Sequence, residues 1–261
     1  MVNTNIIYNE DCLTTMSKDE LKGAIDVVLT SPPYNTSRQT SKTDPYSFRY
    51  DSYIDGLSDK EYTDFILNVF NGYNNVFKKN GVVLFNVSYS SENTWLLWNV
   101  ISSIQLNTPF IVADCIVWKK KHAIPNNVSS NKLTRICEFV FMFCRKNEFS
   151  TFISNKDVDS ISKKGQTIYK NTFNFIEASN NSEICSLNKA TFSVEFAQKI
   201  LKMYSKKGFT IYDSFMGTGT TAIACCNEKM NYIGSEISCK QCEYAEQRIK
   251  NETMQLKLFE L

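Results

Sequence analysis

Apolar residues recur along this chain in two rhythms. Short, nearly unbroken runs occur at Ile6-Ile7-Tyr8, Asp26 to Thr30, Val82 to Val87, Phe110 to Trp118, Ile136 to Phe143, Phe209 to Asp213 and Tyr232 to Glu236. Their length is that of strands, and a run apolar throughout suits a strand covered on both faces. Between them the spacing becomes helical. It predicts helices over Ser17 to Gly23, Asp59 to Lys79, Glu92 to Ile104, Ser193 to Tyr204, Thr220 to Lys229 and Ser238 to Lys250. The second carries Tyr62, Phe65, Ile66, Val69, Phe70, Tyr73 and Phe77 on one stripe, with Gly81 expected to stop it. Strands alternating with helices predict a doubly wound α/β sheet. The neighbouring runs Phe110 to Trp118 and Ile136 to Phe143 are expected to pair antiparallel.

Two stretches break the rhythm. Residues Asn35 to Ser58 form a long polar loop containing Arg38, Lys42 and Arg49, and a loop of that length in a compact domain is usually functional or disordered. Residues 146–189 are rich in Asn, Ser and Lys and only weakly periodic, as expected of an inserted recognition segment. The expected organisation is one domain over residues 1–261, with that insert and a tail from 251 to 261.

Composition narrows the class. The chain is 43% hydrophobic, which supplies a sizeable core, yet no apolar run approaches the ~20 residues of a membrane span. The start, Met1-Val2-Asn3-Thr4-Asn5, lacks a basic region and an apolar signal core, so a cytoplasmic protein is expected. Nine cysteines without a disulfide rhythm suit a reducing compartment, and the one C-x-x-C, Cys239 to Cys242, has no matching second pair for zinc. No metal is expected. A net charge of +2 announces no nucleic-acid partner, so any basic surface must be local. Candidate phosphate contacts are Lys119, Lys120, Lys121, Lys132 and Arg135 between two strands, with Arg38 and Arg49 in the long loop.

Chemistry concentrates at two strand ends. After Phe209 to Tyr212 comes Asp213-Ser214-Phe215-Met216-Gly217-Thr218-Gly219-Thr220-Thr221. Glycines between a strand and a helix let the backbone turn tightly and approach a ligand. The next strand ends in Glu236, where a carboxylate can accept both hydroxyls of a ribose. That combination points to a cofactor containing adenosine. Asp11, at another strand end, either reaches the adenine or caps the helix that follows. After Asp26 to Leu29 comes Thr30-Ser31-Pro32-Pro33-Tyr34. The prolines stiffen the loop, and a proline carbonyl has no adjacent N–H of its own. The Ser31 hydroxyl and a proline carbonyl can both accept from one amino group, while Tyr34 stacks on a flat ring. Two acceptors on an aromatic amine aim its lone pair at an electrophile without a strong base, so positioning carries most of the effect. A nicotinamide oxidoreductase, with Ala222 as the third small residue, leaves Ser31 to Tyr34 unexplained.

At these residues the chain resembles the amino-methylating DNA methyltransferases, specifically the permuted beta class in which the catalytic motif precedes the cofactor motif. Thr30 to Tyr34 matches the catalytic motif, Phe215 to Gly219 the cofactor motif and Glu236 the ribose acid. Ala190-Thr191-Phe192-Ser193 resembles the segment lining the methionine end of the cofactor, and Val117-Trp118-Lys119 the strand end beside the target base. The resemblance implies a Rossmann-like fold with a mixed seven-stranded sheet and S-adenosylmethionine as cofactor, held by Asp11, Thr191, Asp213, Phe215, Gly217, Gly219, Thr220 and Glu236. It implies catalytic roles for Ser31, Pro32, Pro33 and Tyr34, double-stranded DNA as substrate, a flipped base, a homodimer, and a place in restriction-modification in a bacterium or a phage. The motif order argues against protein and RNA methyltransferases, in which the cofactor motif comes first. Serine at the head of the motif favours the 4-amino group of cytosine over the 6-amino group of adenine. An inactive DNA-binding module is disfavoured by the intact motif. The tail residues Gln255, Leu256, Leu258 and Phe259 resemble the peptide by which many proteins dock on the bacterial sliding clamp, in extended form.

Overall fold

A computed structural model describes residues 2–35, 56–90, 93–123, 125–127, 129–180, 187–188 and 191–259, the last five of these by backbone only. Arg38 and Arg49 lie outside the described residues.

The strands are β1 (Ile6–Tyr8), β2 (Ile25–Thr30), β3 (Phe77–Val87), β4 (Phe110–Lys120), β5 (Cys137–Arg145), β6 (Val158–Ile161), β7 (Thr167–Tyr169), β8 (Phe175–Ala178), β9 (Thr210–Asp213) and β10 (Asn231–Ser235). The helices are α1 (Cys12–Met16), α2 (Asp59–Val76), α3 (Trp95–Asn107), α4 (Val194–Tyr204), α5 (Thr220–Asn227) and α6 (Cys239–Phe259). One sheet runs in the order β1-β10-β9-β2-β3-β5-β4-β8. Pairing is parallel from β1 to β3, antiparallel for β3 with β5 and for β5 with β4, and parallel again for β4 with β8. The α/β class and mixed sheet agree with expectation. The eighth strand is β8, which lies in the polar stretch 146–189 and returns to the sheet edge, while β6 and β7 form a separate exposed hairpin.

The strands are apolar throughout because both faces are covered. Val83 and Phe85 face a cluster with Ile66, Phe70 and Tyr73 of α2 and Val100 of α3. Val82 and Leu84 face the opposite cluster with Phe196 and Ile200 of α4 and Ile223 of α5. These side chains are almost completely buried; each contributes about 1.5–3 kcal/mol relative to exposure. Helix α2 starts at a capping box, Ser58 with Glu61, which satisfies two otherwise unpaired backbone donors.

Three local expectations change. The helix expected over Ser17 to Gly23 is instead α1, begun by Asp11, whose Oδ1 accepts from the Leu13 N–H at 2.8 Å; only a 3-10 turn at Asp19–Leu21 follows. Helix α2 ends at Val76 and passes directly into β3 at Phe77. Gly81 is therefore no helix stop: a Cβ there would lie 2.5 Å from the Phe77 ring, so its bare backbone makes room for that ring. Finally, Gln255 to Phe259 continue α6 as helix and are not an extended tail.

The chain order creates the crevice. From β9 the chain passes through α5 to β10 on one side, and from β2 through α2 to β3 on the other. Adjacent parallel strands whose connections diverge leave an opening beyond their carboxyl ends. Pairing of β2 with β9 covers Val27↔Ile211 and Val28↔Tyr212, and the two motif loops continue from there.

Candidate active site

The two loops meet although Thr30 and Asp213 are 183 positions apart. Thr30 Oγ1 donates to Asp213 Oδ1 at 2.8 Å and lies 3.2 Å from Ser214 Oγ, which in turn lies 2.6 Å from the Tyr73 hydroxyl. A cavity open to solvent is lined by Ser31 and Pro33 from one loop and by Asp213, Phe215, Gly217 and Glu236 from the other side. Asp11, Thr191 and Thr220 also line it. Seven of the eight residues read from the sequence as cofactor-binding line this cavity, and the eighth, Gly219, is the N-cap of α5.

The glycine-loop side of the cavity is held by carboxylates. Glu236 Oε2 accepts from the Gly217 N–H at 2.8 Å and its Oε1 from the Ser238 N–H at 2.9 Å. It thereby pins the glycine loop to the end of β10. Each carboxylate oxygen accepts two hydrogen bonds, so the same group can hold the loop and receive hydroxyls. Asp213 is buried. Its Oδ1 accepts from Thr30 and from the Phe215 N–H at 3.0 Å, and its Oδ2 from Thr221 Oγ1 at 2.5 Å. Burial pushes its carboxyl up to about 6, against the lowering effect of those three donors. Asp11 both caps α1 and lines the cavity. Behind the loop, Arg248 of α6 donates to the Thr218 carbonyl at 3.1 Å and to Thr220 Oγ1 at 3.0 Å.

Gly219 sits at φ +83, and a Cβ there would stand 2.9 Å from the Ala245 Cβ of α6. Gly219→Ala therefore combines a left-handed backbone with a clash between α5 and α6. The expected cost is about 2–4 kcal/mol, read as a lowered Tm in thermal unfolding.

The Ser31 loop is anchored differently. The Pro33 carbonyl accepts from the buried Tyr62 hydroxyl at 2.8 Å; of the four residues read from the sequence as catalytic, Ser31 and Pro33 line the cavity and Pro32 and Tyr34 do not. Ser31 Oγ donates to the Tyr34 hydroxyl at 3.0 Å, and Tyr34 donates to Glu138 Oε2 at 3.2 Å. Asn86 Nδ2 donates to both Tyr34 Oη and Glu138, at 3.2 and 3.1 Å. Sequence reasoning missed Tyr62, Asn86 and Glu138. The signal for Glu138 was visible as a lone carboxylate in the apolar run Cys137 to Phe143.

The basic residues are placed less simply than expected. Lys119 pairs with Glu177 at 2.7 Å, Lys121 with Glu195 at 3.1 Å, and Lys120 with Glu138. Arg135 donates to the Tyr89 carbonyl and covers that ring. Lys132 is exposed on the connection between β4 and β5. None of the three lysines from 119 to 121 stands as an isolated cation: the folded chain supplies each with a carboxylate that lies distant in sequence.

Known proteins share this architecture. A family model for N6/N4 methyltransferases, described as DNA methylase, matches residues 25–247. The chain is 25% identical to the orphan methyltransferase M.BamHII of Bacillus amyloliquefaciens, over 87% of this chain and 89% of that protein. It is 26% identical to the type II methyltransferase M.Cfr9I of Citrobacter freundii over 59% of this chain, and the match spans about half, 49%, of that relative's length. Among solved structures, the PvuII cytosine-N4-specific DNA methyltransferase superposes with a TM-score of 0.69 at 15% identity, covering 97% of this chain and 92% of that one. The complex of M1.HpyAVI with SAM superposes with a TM-score of 0.62 at 20% identity, covering 93% and 98%. At these identities the superpositions establish the fold.

Proposed function

The chain belongs to the N6/N4 DNA methylase family, the amino-methylating DNA methyltransferases that use S-adenosylmethionine, and from that premise we propose that it methylates the 4-amino group of cytosine in duplex DNA. The observation that carries this reading is the single cavity lined by Ser31 and Pro33 on one side and Asp213, Gly217 and Glu236 on the other. An acceptor for an amine and a cradle for a nucleoside cofactor share one space.

The residues present suit that cofactor. Its ribose hydroxyls match Glu236, its cationic sulfonium and ammonium match Asp213, and its flat base matches the apolar wall of Phe65, Phe215 and Ile237. When bound, S-adenosylmethionine supplies a methyl group on a positively charged sulfur. The chain's own work is to hold and orient. Ser31 Oγ spends its one proton on Tyr34, so toward the cavity it is an acceptor only. With the Pro32 carbonyl it takes the two hydrogens of an exocyclic amine, which pulls the nitrogen out of conjugation and directs its lone pair. The target amine is paired inside a duplex, so the base must leave the stack to reach this cavity.

Serine at the head of the motif supports cytosine. The test is incubation with unmethylated duplex DNA and labelled S-adenosylmethionine, followed by nucleoside mass spectrometry. Methyl on the cytosine 4-amino group is expected, and methyl on the adenine 6-amino group would overturn the choice of base while keeping the class.

Asp213 gives the reading a pH signature. Its folded-state carboxyl is raised from 3.8 to about 6. The stabilisation this group contributes to the ligand-free chain is therefore present below pH 3.8 and lost as the pH rises through about 6. A bound cation prefers the ionised carboxylate, so cofactor affinity moves the other way. We expect affinity to weaken as pH falls through 6, by roughly tenfold between pH 7 and 5. Calorimetric titration of the wild type and Asp213→Asn checks this, and an equally steep profile in the variant would remove Asp213 from the explanation.

Partners extend the proposal. Lys132 and Arg135, with Arg38 and Arg49, are the proposed phosphate contacts, while the segment around β6 and β7 is proposed to read the target sequence. A homodimer is proposed from the family alone; sedimentation at micromolar concentration decides it. Docking of Gln255 to Phe259 on a sliding clamp would require the last turns of α6 to unwind. Equal clamp affinity for the full chain and one lacking its last seven residues would dismiss it.

A further inference from the structure

We propose that Glu138 is a positioning residue for methyl transfer: through Tyr34 it fixes which way the Ser31 hydroxyl points, with Lys120 as its counter-ion. The proposal rests on the reading of Ser31 as an acceptor for the target amine.

Each hydroxyl in this network has one proton to give. A carboxylate only accepts. Glu138 Oε2 lies 3.2 Å from Tyr34 Oη and 3.1 Å from Asn86 Nδ2, and Oε1 is held by the Lys120 ammonium. Glu138 claims the Tyr34 proton. Tyr34 Oη is then left as an acceptor, and it accepts from Ser31 Oγ at 3.0 Å and Asn86 Nδ2 at 3.2 Å. Tyr34 in turn claims the Ser31 proton. What remains at Ser31 is lone pairs, which an amine with two hydrogens requires.

Without Glu138 the chain of donors can reverse. The Tyr34 proton is then able to turn toward Ser31, and the Ser31 proton toward the substrate nitrogen. A hydroxyl donating to that nitrogen occupies the lone pair that must attack. The carboxylate therefore acts at a distance, by removing the wrong direction of donation.

The surroundings support a built arrangement. The Glu138 side chain is only 13% exposed and the Lys120 side chain 25%, so the pair is largely withdrawn from water. A half-buried pair is costly to break from one side, because the survivor is left uncompensated. Lys120 also stands 5.2 Å from the centre of the Trp118 ring, itself stacked on Phe196 at 4.2 Å, which fixes the ammonium. Asn86 is 1% exposed, and its Oδ1 has no partner among the described residues. Leaving such a buried group unsatisfied is costly, more so than a position used only for packing would carry. Asn86 and Glu138 flank the cross-strand pair Val87 and Phe139 of β3 and β5, which places both on the same face of the sheet.

The test measures single-turnover methylation of unmethylated genomic duplex DNA, with cofactor affinity as the check on folding. Glu138→Leu is expected to slow the methyl-transfer step by on the order of 10- to 100-fold, with cofactor Kd within about twofold of the parent. Glu138→Gln, whose carbonyl still accepts from Tyr34, should recover most of that loss. In a Tyr34→Phe background the link is already cut, so Glu138→Leu should add less than about threefold. A second pair of variants serves if the leucine variant does not fold. Lys120→Ala leaves an uncompensated carboxylate and should slow transfer, and Lys120→Ala with Glu138→Gln should be faster than Lys120→Ala alone. The proposal is overturned if Glu138→Gln is as slow as Glu138→Leu, if the leucine penalty is undiminished in the Tyr34→Phe background, or if the paired Lys120 variants are equal. Ser31→Ala at full rate would instead sink the amine-acceptor reading beneath it.

Discussion

Glu236→Ala is expected to weaken S-adenosylmethionine binding by roughly 10- to 100-fold. On the proposed assignment the carboxylate has two tasks, and the substitution removes both. It deletes the acceptor for the ribose hydroxyls, and hydrogen bonds to a charged group are worth about 1.5–3 kcal/mol. It also strands the Gly217 and Ser238 N–H groups, which Glu236 now receives at 2.8 and 2.9 Å. The glycine loop then loses its tie to β10, so Tm should fall along with affinity. Once the variant is saturated with cofactor, the methyl-transfer rate should stay within about fivefold of the parent, because the proposed amine acceptor Ser31 is anchored through Tyr34 and Tyr62 and not through this group. Titration calorimetry together with single-turnover rates at saturating cofactor separates the two effects. Unchanged affinity would show that the loop, and not the acid, does the binding.

The opposite division is expected of Ser31→Ala. It should lower the single-turnover rate by on the order of 100-fold and leave cofactor affinity unchanged within about twofold. On the proposed reading the alanine removes one of two acceptors that orient the amine, and it leaves the proposed cofactor cradle intact. The loop itself should persist, because its anchors lie elsewhere: Tyr62 holds the Pro33 carbonyl and Thr30 holds Asp213. Ser31→Thr, which keeps the hydroxyl, should retain more activity than alanine. Equal losses of cofactor affinity in Ser31→Ala and Glu236→Ala would refute the assignment of amine to one loop and cofactor to the other.

The two loops differ in how far the sequence alone reveals them. The local sequence around Gly217 and Gly219 already carries its meaning, because a strand, a glycine turn, a helix and a following acid are close together in the chain. Hydrophobic periodicity likewise exposes the alternation of strands and helices, since burial on two faces leaves an apolar record in each strand. Local patterns mislead where a neighbour distant in space or sequence decides. Gly81 reads as a helix stop, but the Phe77 ring is what needs its missing side chain. Lys119, Lys120 and Lys121 read as a basic stretch, but Glu177, Glu138 and Glu195 meet them in the fold.

By itself, then, the sequence determined the α/β class, the two motifs and their order, and suggested the chemistry proposed for each, because these depend on residues within one strand, turn or helix. Only the tertiary structure decided that the motifs share one cavity and that Glu138, Asn86 and Lys120 stand behind Tyr34. A hydrogen bond between Tyr34 and Glu138 joins positions 104 apart. Such a contact follows from sheet register and strand order, and no local pattern of hydrophobic and polar residues encodes it.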